Sequence, residues 1–266
     1  MRRTQAMIFD THAHYDDEKF DEDRESLLAS MKKNGIEYIV NVGASFEGVR
    51  QSLILSKKYD FMYGAAGVHP NEVMELEEKP ELYDELESIA REEKIVAIGE
   101  IGLDYYWDEP ERSIQKKHFE RQMELARKLN MPVAIHSRDA AADTLAMMKA
   151  LKAEEIGGII HCFSYAKEMA REYLNMGYYL GIGGVVTFKN SKVIKEVVEY
   201  APLDRIVLET DSPYLSPEPF RGKRNSSLNL PYVVEKIAEI KNITPQEVEE
   251  ITFENAFNAY RILRKG

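Results

Sequence analysis

Eight short runs of β-branched and aromatic residues alternate with longer amphipathic stretches along a chain of 266 residues. This alternation restricts the fold more than any other feature, because a repeated strand–helix–strand unit builds a parallel sheet covered by its crossover helices. Strands are predicted near Met7–Asp10, Tyr38–Val42, Met62–Ala66, Val96–Gly99, Val133–His136, Gly158–His161, Tyr178–Ile182 and Ile206–Glu209. Helices are predicted near Asp23–Lys33, Phe46–Tyr59, Pro80–Glu92, Ser113–Leu129, Ala140–Leu151, Lys167–Met176 and Val193–Tyr200. One unit per ~33 residues, eight times over, is the spacing of a TIM-like (β/α)8 barrel, a fold of about 250 residues. No linker or low-complexity stretch interrupts it, so residues 1–266 read as a single α/β domain. At the C-terminal end, Thr244, Pro245 and Glu247 supply an N-cap, a first-turn proline and a capping-box acid. They predict a helix from Pro245 to Arg261 whose apolar face is Val248, Ile251, Phe253, Ala256, Phe257 and Tyr260.

Charge narrows the range of partners. With 35 basic and 46 acidic residues the net charge is −11, which argues against broad adhesion to nucleic acid or anionic membrane. A phosphate-bearing substrate therefore requires a local cation. The single cysteine, Cys162, excludes an intramolecular disulfide. With no signal-peptide core after Arg2 and Arg3, a reduced, cytoplasmic protein is expected. No run approaches the ~18 apolar residues of a membrane span, and no obligate protein partner is evident.

The stretch MIFDTHAH places His12 and His14 two residues apart after an apolar run. On a strand, alternate side chains leave on one side about 7 Å apart, so the two imidazoles can converge on one ion. Taken alone, an exposed pair at a strand end explains the spacing equally well. The rest of the chain decides: His69 follows the third predicted strand, Glu100 the fourth, His136 the fifth, His161 the sixth and Asp211 the eighth. Of the six histidines only His118 falls inside a helix. In a parallel barrel the strand-end residues share the C-terminal mouth, and a metal site is expected there.

Imidazoles from His12, His14, His136 and His161 with carboxylates from Glu100 and Asp211 form an N/O donor set. Such a set suits Zn²⁺, Mn²⁺, Fe²⁺, Co²⁺ or Ni²⁺, and Mg²⁺ where carboxylate and water dominate. Six ligands exceed one tetrahedral ion. Two divalent ions about 3.5–4 Å apart, bridged by a carboxylate, use them all and leave room for water and substrate. Glu100, midway in chain order, is the expected bridge.

The segments FDTHAH, GVHP, GEIGLDYY, IHSRDA, HCFS and LETDSPYL occur in an order that resembles the TatD family of metal-dependent hydrolases, a branch of the amidohydrolase-like barrels. The resemblance runs from Phe9 to the NAFNAYRIL segment. It implies a TIM-like barrel with a divalent-metal site acting as a deoxyribonuclease, commonly a 3′-to-5′ exonuclease on single-stranded DNA. Some relatives are linked instead to abasic-site cleavage or to removal of D-amino acids from tRNA. The family pattern assigns His12, His14 and Asp211 to one metal, His136 and His161 to the second, and Glu100 to both. Each of these positions holds the expected residue type.

Further roles are expected around that site. Asp211 can take a proton from the attacking water as well as hold an ion. Glu209 is a candidate catalytic neighbour that orients a ligand or a water, with a buried structural acid as the rival reading. His69, stiffened by Pro70, is expected at a phosphate oxygen or the leaving group. Arg138 can reach the same phosphate unless Asp139 locks it in a salt bridge. Arg221 and Lys223 in RGKRNSS are candidate contacts to nucleic-acid backbone, or part of a solvated turn. Tyr105 in the LDYYW run, read as lying outside strand and helix, is a candidate stacking surface for unpaired bases, with packing on the barrel top as the alternative. The acidic net charge fits single-stranded DNA or short ends better than long duplex.

Two other functions remain open at this point. The same site can hydrolyse an acyl bond, as an amidohydrolase or a D-aminoacyl-tRNA deacylase. Many related barrels resemble one another in bridging their metals with a carboxylated lysine; here Glu100 stands at that position, which disfavours an amidase. A non-catalytic metal-binding barrel would be favoured by a missing ligand, and none is missing.

Overall fold

The computed structural model describes residues 7–107 and 109–263. Its eight strands are β1 Ile8–Ala13, β2 Ile36–Val42, β3 Met62–Ala65, β4 Ile95–Asp104, β5 Val133–Arg138, β6 Gly158–Ile160, β7 Tyr179–Ile182 and β8 Ile206–Leu208. They lie in sequence order, each parallel to the next. An Ala13–Ser212 bridge joins the end of β1 to the segment after β8 and nearly closes the barrel. Covered on both faces, the strands need apolar residues throughout, and every residue of β4 is buried.

The helices are α1 Arg24–Ala29, α2 Phe46–Lys58, α3 Met74–Glu78, α4 Leu82–Ala90, α5 Arg112–Leu129, α6 Ala141–Ala150, α7 Lys167–Asn175, α8 Lys192–Tyr200, α9 Leu230–Lys241 and α10 Pro245–Tyr260. No helix among the described residues is long and apolar enough to cross a membrane. The capping box at Thr244 and Glu247 forms as expected. Phe253 and Phe257 of α10 pack edge-on against Phe9, filling the end of the barrel opposite the strand C-termini. Ile251 is a correction, since it is exposed rather than part of that packed face.

Sequence reading placed the strands well and misjudged several ends. The predicted β1, β4 and β5 stopped where the apolar runs stop, yet the ladder continues with pairs such as Gly102–His136 and Asp104–Arg138. Consequently His12 and Glu100 lie within strands, as His136 was already expected to, and Leu103 of LDYYW is in β4. Two helices, α3 and α9, were not anticipated. The first predicted helix is shorter than expected, a short α1 followed by a 3₁₀ turn at Lys32–Asn34.

A buried carboxylate fastens the closure between β8 and β1. Asp10 accepts hydrogen bonds from the Thr210 N–H at 3.0 Å, the Thr210 hydroxyl at 2.7 Å, the Ser227 hydroxyl at 2.6 Å and the His12 N–H at 3.2 Å. Asn at this position would set an NH₂ group against donors. Asp10→Asn is expected to cost about 1–3 kcal/mol of stability, read as a lower urea midpoint. An unchanged midpoint would remove the clasp from this account.

Candidate metal centre

Local backbone features aim the donors inward. In the β4–β5 pairing Gly99 faces Ala134 and Ile101 faces Ile135, so Glu100 is the extra residue of a bulge, a device that re-aims a side chain. Two residues on, a Cβ at Gly102 would lie 1.9 Å from the His136 carbonyl oxygen, and only glycine lets β4 and β5 approach there. Cys162, after His161, and Asp211 have left-handed backbones at φ 45° and 56°. Such conformations are uncommon for side-chain-bearing residues and cluster at functional sites.

The six expected ligands meet around Glu100, and the two oxygens of its carboxylate face different groups. Oε2 lies 3.3 Å from His12 Nε2 and 3.8 Å from His14 Nε2. Oε1 lies 2.6 Å from His136 Nδ1, 3.8 Å from His161 Nε2 and 3.9 Å from His69 Nε2. Asp211 Oδ1 stands between the groups, 3.3 Å from His14 Nε2 and 3.5 Å from His161 Nε2. The β-strand placement of the HxH pair converges as reasoned, with the two Nε2 atoms 3.3 Å apart.

Several of the rings are held by a partner behind them. His14 Nδ1 donates to the Val42 carbonyl at 2.7 Å, and His161 Nδ1 bonds Glu209 Oε2 at 3.0 Å. Both leave Nε2 for the centre, the usual arrangement behind a metal-ligating imidazole. Asp104 Oδ2 bonds His136 Nε2 at 3.0 Å. His69 differs: its Nδ1 accepts the Asn71 N–H at 3.2 Å. A neutral ring with Nδ1 as acceptor carries its proton on Nε2, so His69 presents an N–H donor to the centre.

Electrostatics fit a cation site. Burial, reinforced by His161, holds the His12 imidazole down at about 4, and burial beside His136 holds His69 down at about 3. Burial opposes charge on His14 too, but Asp211 and Glu100 outweigh it and hold that imidazole up at about 9. His161 and His136 are likewise raised, against burial, by their carboxylate neighbours. Burial would raise Glu100, yet His161 and His12 keep its carboxyl well below the usual range. The raised imidazoles thus favour their charged form and offset the acids where cations would otherwise do so. His12 Nδ1 is buried without a hydrogen-bond partner among the described residues, and its Nε2 confronts another imidazole nitrogen. Sets of three donors including His12–His14–Asp211, His12–Glu100–His161 and His69–Glu100–His136 lie within reach of a single ion each. The residues present fit divalent cations.

The centre opens into a cavity of about 770 Å³. Asp16, Asp17, Glu72, Glu100, Asp104 and Asp211 line it, and Arg138 is the one guanidinium or ammonium group among its described lining residues. Arg138 makes no ion pair among the described residues. Its guanidinium lies 3.8 Å over the Tyr106 ring, so Asp139 does not lock it.

Three expected residues stand elsewhere than sequence reasoning placed them. Tyr105 turns away from the cavity, its hydroxyl donated to Asp143 at 2.7 Å and its ring under Arg112. The exposed aromatics are its neighbours Tyr106 and Trp107, of which Trp107 lines the cavity. Glu209 stands behind His161, where a residue that orients a ligand was expected, and does not line this cavity; its second oxygen accepts the Cys162 N–H at 2.6 Å. Arg221 lies over Phe188, and neither it nor Lys223 lines the cavity; Arg224 of the same loop bonds Asp23. Asp104 was missed, although in a strand running through Glu100 the period of two brings 104 to the same side.

Fold and donor set together define a metal-dependent hydrolase barrel. A family model described as TatD related DNase matches residues 9–261, and the chain belongs to that family. It is 44% identical over 256 residues to the uncharacterized metal-dependent hydrolase YabD of Bacillus subtilis (strain 168), covering 96% of this chain and 100% of that one. It is 31% identical over 254 residues to the 3′-5′ ssDNA/RNA exonuclease TatD of Cronobacter sakazakii, covering 94% and 96%. Among solved structures it is similar to the TatD homolog YJJV of Escherichia coli K12, with a TM-score of 0.87, 28% identity and coverage of 96% and 98%.

Proposed function

We propose that the protein is a nuclease that hydrolyses phosphodiester bonds at single-stranded ends, DNA first, with two divalent cations per chain shared by Glu100. The observation that carries this reading is the Glu100 carboxylate, whose separate oxygens face separate imidazole groups at the floor of one open cavity. The exonuclease named among the relatives supports the choice of bond.

A phosphodiester resists hydrolysis because water must attack an anion and an alkoxide must leave. Divalent cations, when bound, acidify water and neutralise phosphate charge. His12, His14, His136, His161, Asp211 and Glu100 would hold them. An acidic mouth with one arginine repels phosphate, so the cations are also the condition for substrate binding. The Nε2–H of His69, left by the Asn71 bond to Nδ1, can donate to a phosphate oxygen or the departing oxygen. Asp211 can accept the proton of the attacking water once His14 and His161 are neutral and no longer hold its carboxylate so firmly ionised. Arg138 can take a second phosphate oxygen, and Trp107 and Tyr106, exposed at 63% and 53%, can stack unpaired bases.

The test supplies Mn²⁺, Mg²⁺, Co²⁺, Ni²⁺ or Zn²⁺ to metal-stripped protein with 5′-labelled single-stranded DNA. Stepwise shortening from the 3′ end is expected. No nucleotide release with any of these ions, accompanied by turnover of an aminoacyl-tRNA or amide, would replace this reading with acyl hydrolysis. Trp107→Ala is expected to raise KM for the oligonucleotide about tenfold, the size of one lost base stack. Its kcat/KM on methyl p-nitrophenyl phosphate should not change, and equal losses on both substrates would count against stacking.

A further inference from the structure

Helix α5 turns a polar edge toward the metal centre. Gln115, His118 and Gln122 are buried to 0%, 0% and 1% exposure where a helix packed on a barrel ordinarily carries aliphatic groups. Gln115 and Gln122 are seven residues apart, two turns along one face. Each grips the main chain of one residue at two points, and Gln115 reaches a second residue as well. Gln115 Oε1 accepts the Asp104 N–H at 2.8 Å, while its Nε2 donates to the carbonyls of Asp104 at 2.8 Å and Pro110 at 3.0 Å. Gln122 Oε1 accepts the Val68 N–H at 2.8 Å, and its Nε2 donates to the Val68 carbonyl at 3.1 Å.

Val68 and Asp104 both lie beyond the β3–β4 ladder, although Asp104 still pairs with Arg138 of β5 on its other side. β3 ends at Ala65, so Val68 lies beyond its last ladder pair and β4 runs on to Asp104 without β3 beside it. The two gripped residues have one destination. Asp104 bonds His136, Val68 precedes His69, and the His69 and His136 rings touch edge to face with centroids 4.3 Å apart. Both rings face Glu100 Oε1, away from the His12 and His14 side.

We propose that Gln115 and Gln122 are positioning residues: paired amides on one helix fix the His69–His136 wall and set the affinity of the cation on that side of Glu100. The inference rests on the two-cation reading above. It assigns the amides no contact with substrate.

Gln115→Met and Gln122→Met keep side-chain volume and remove both bonds; Gln115→Glu and Gln122→Glu keep the acceptor for the N–H. Phe119→Leu on the same helix is the control for lost packing, because Phe119 is a buried core residue. Stripped proteins, checked for folding by circular dichroism, are titrated with Mn²⁺ by calorimetry, and exchange of the Val68 and Asp104 amide hydrogens is followed by NMR. In the Met variants one Mn²⁺ step is expected to weaken about 10–100-fold and the other to stay within about twofold. The gripped amide should exchange faster, and the Glu variants should recover part of both losses; they carry the comparison if a Met variant does not fold. Losses no greater than in Phe119→Leu at matched Tm, or equal weakening of both steps, would overturn the proposal. A wild type that takes one Mn²⁺ would refute the cation pair, and positioning would then be judged on that single step against Phe119→Leu.

Discussion

Glu100→Gln is expected to lower kcat on single-stranded DNA by roughly 10³-fold or more and to remove one of the two cations proposed per chain. Glutamine preserves the volume of a side chain that is buried within β4, so the barrel should form. What changes is charge and symmetry. A carboxylate offers an acceptor oxygen to each imidazole group, whereas an amide offers oxygen to one and N–H to the other. The group that receives the NH₂ loses its anionic ligand and gains a donor pointed at the cation. Asp211 compensates in part for His14 and His161, both within 3.5 Å of its Oδ1. Among the described residues Asp211 makes no ion pair with His136, so the loss should fall on the Oε1 side. Metal counting on the dialysed variant and single-turnover kinetics measure the two effects separately; two cations retained with wild-type kcat would dismiss Glu100 as the bridge.

The second large effect is a reversal of pH dependence by the cation. In the metal-free protein His14 is held at about 9, above its ordinary 6.5, after its carboxylate neighbours overcome burial. A raised imidazole contributes stability that is complete below the unfolded value and is lost as pH rises through the folded one. For His14 that is about 3 kcal/mol, fading between pH 6.5 and 9, and His136 and His161 act in the same direction. Ligation demands neutral imidazoles, so cation affinity rises with pH over the same interval and protons are released on binding. Stripped protein should therefore lose Tm from pH 6.5 to 9, while protein in excess Mn²⁺ should gain or hold it. Parallel slopes in the two states would show that these imidazoles are not ligands.

The architecture was legible because parallel strands covered on both faces must be written as apolar runs, and eight of them recur along the chain. Strand ends were less so. His12, Glu100 and His136 continue the ladder with polar side chains, and hydropathy stops where they begin. The ligand set was readable from that same contrast, since a polar residue closing an apolar run of a parallel barrel faces the mouth. The bulge that aims Glu100 is a register event between two strands and leaves no local sign in either. Tyr105 and Trp107 could not be told apart because the partners that hold Tyr105, Asp143 remote in sequence and Arg112 at the start of the next helix, are known only from the structure. For α9 the signal was present: LPYVVEKIAEIK carries a first-turn proline and an apolar face. Gln115 and Gln122 also sit visibly on the buried face of α5, but only the structure gives the backbone atoms they hold.

The most direct measurement is anomalous diffraction from crystals soaked in Mn²⁺. Two manganese peaks are expected, one on each side of the Glu100 carboxylate, with His12 and His14 near the first and His136 near the second. A single peak that does not touch Glu100, or manganese bound only outside the strand mouth, would contradict the account.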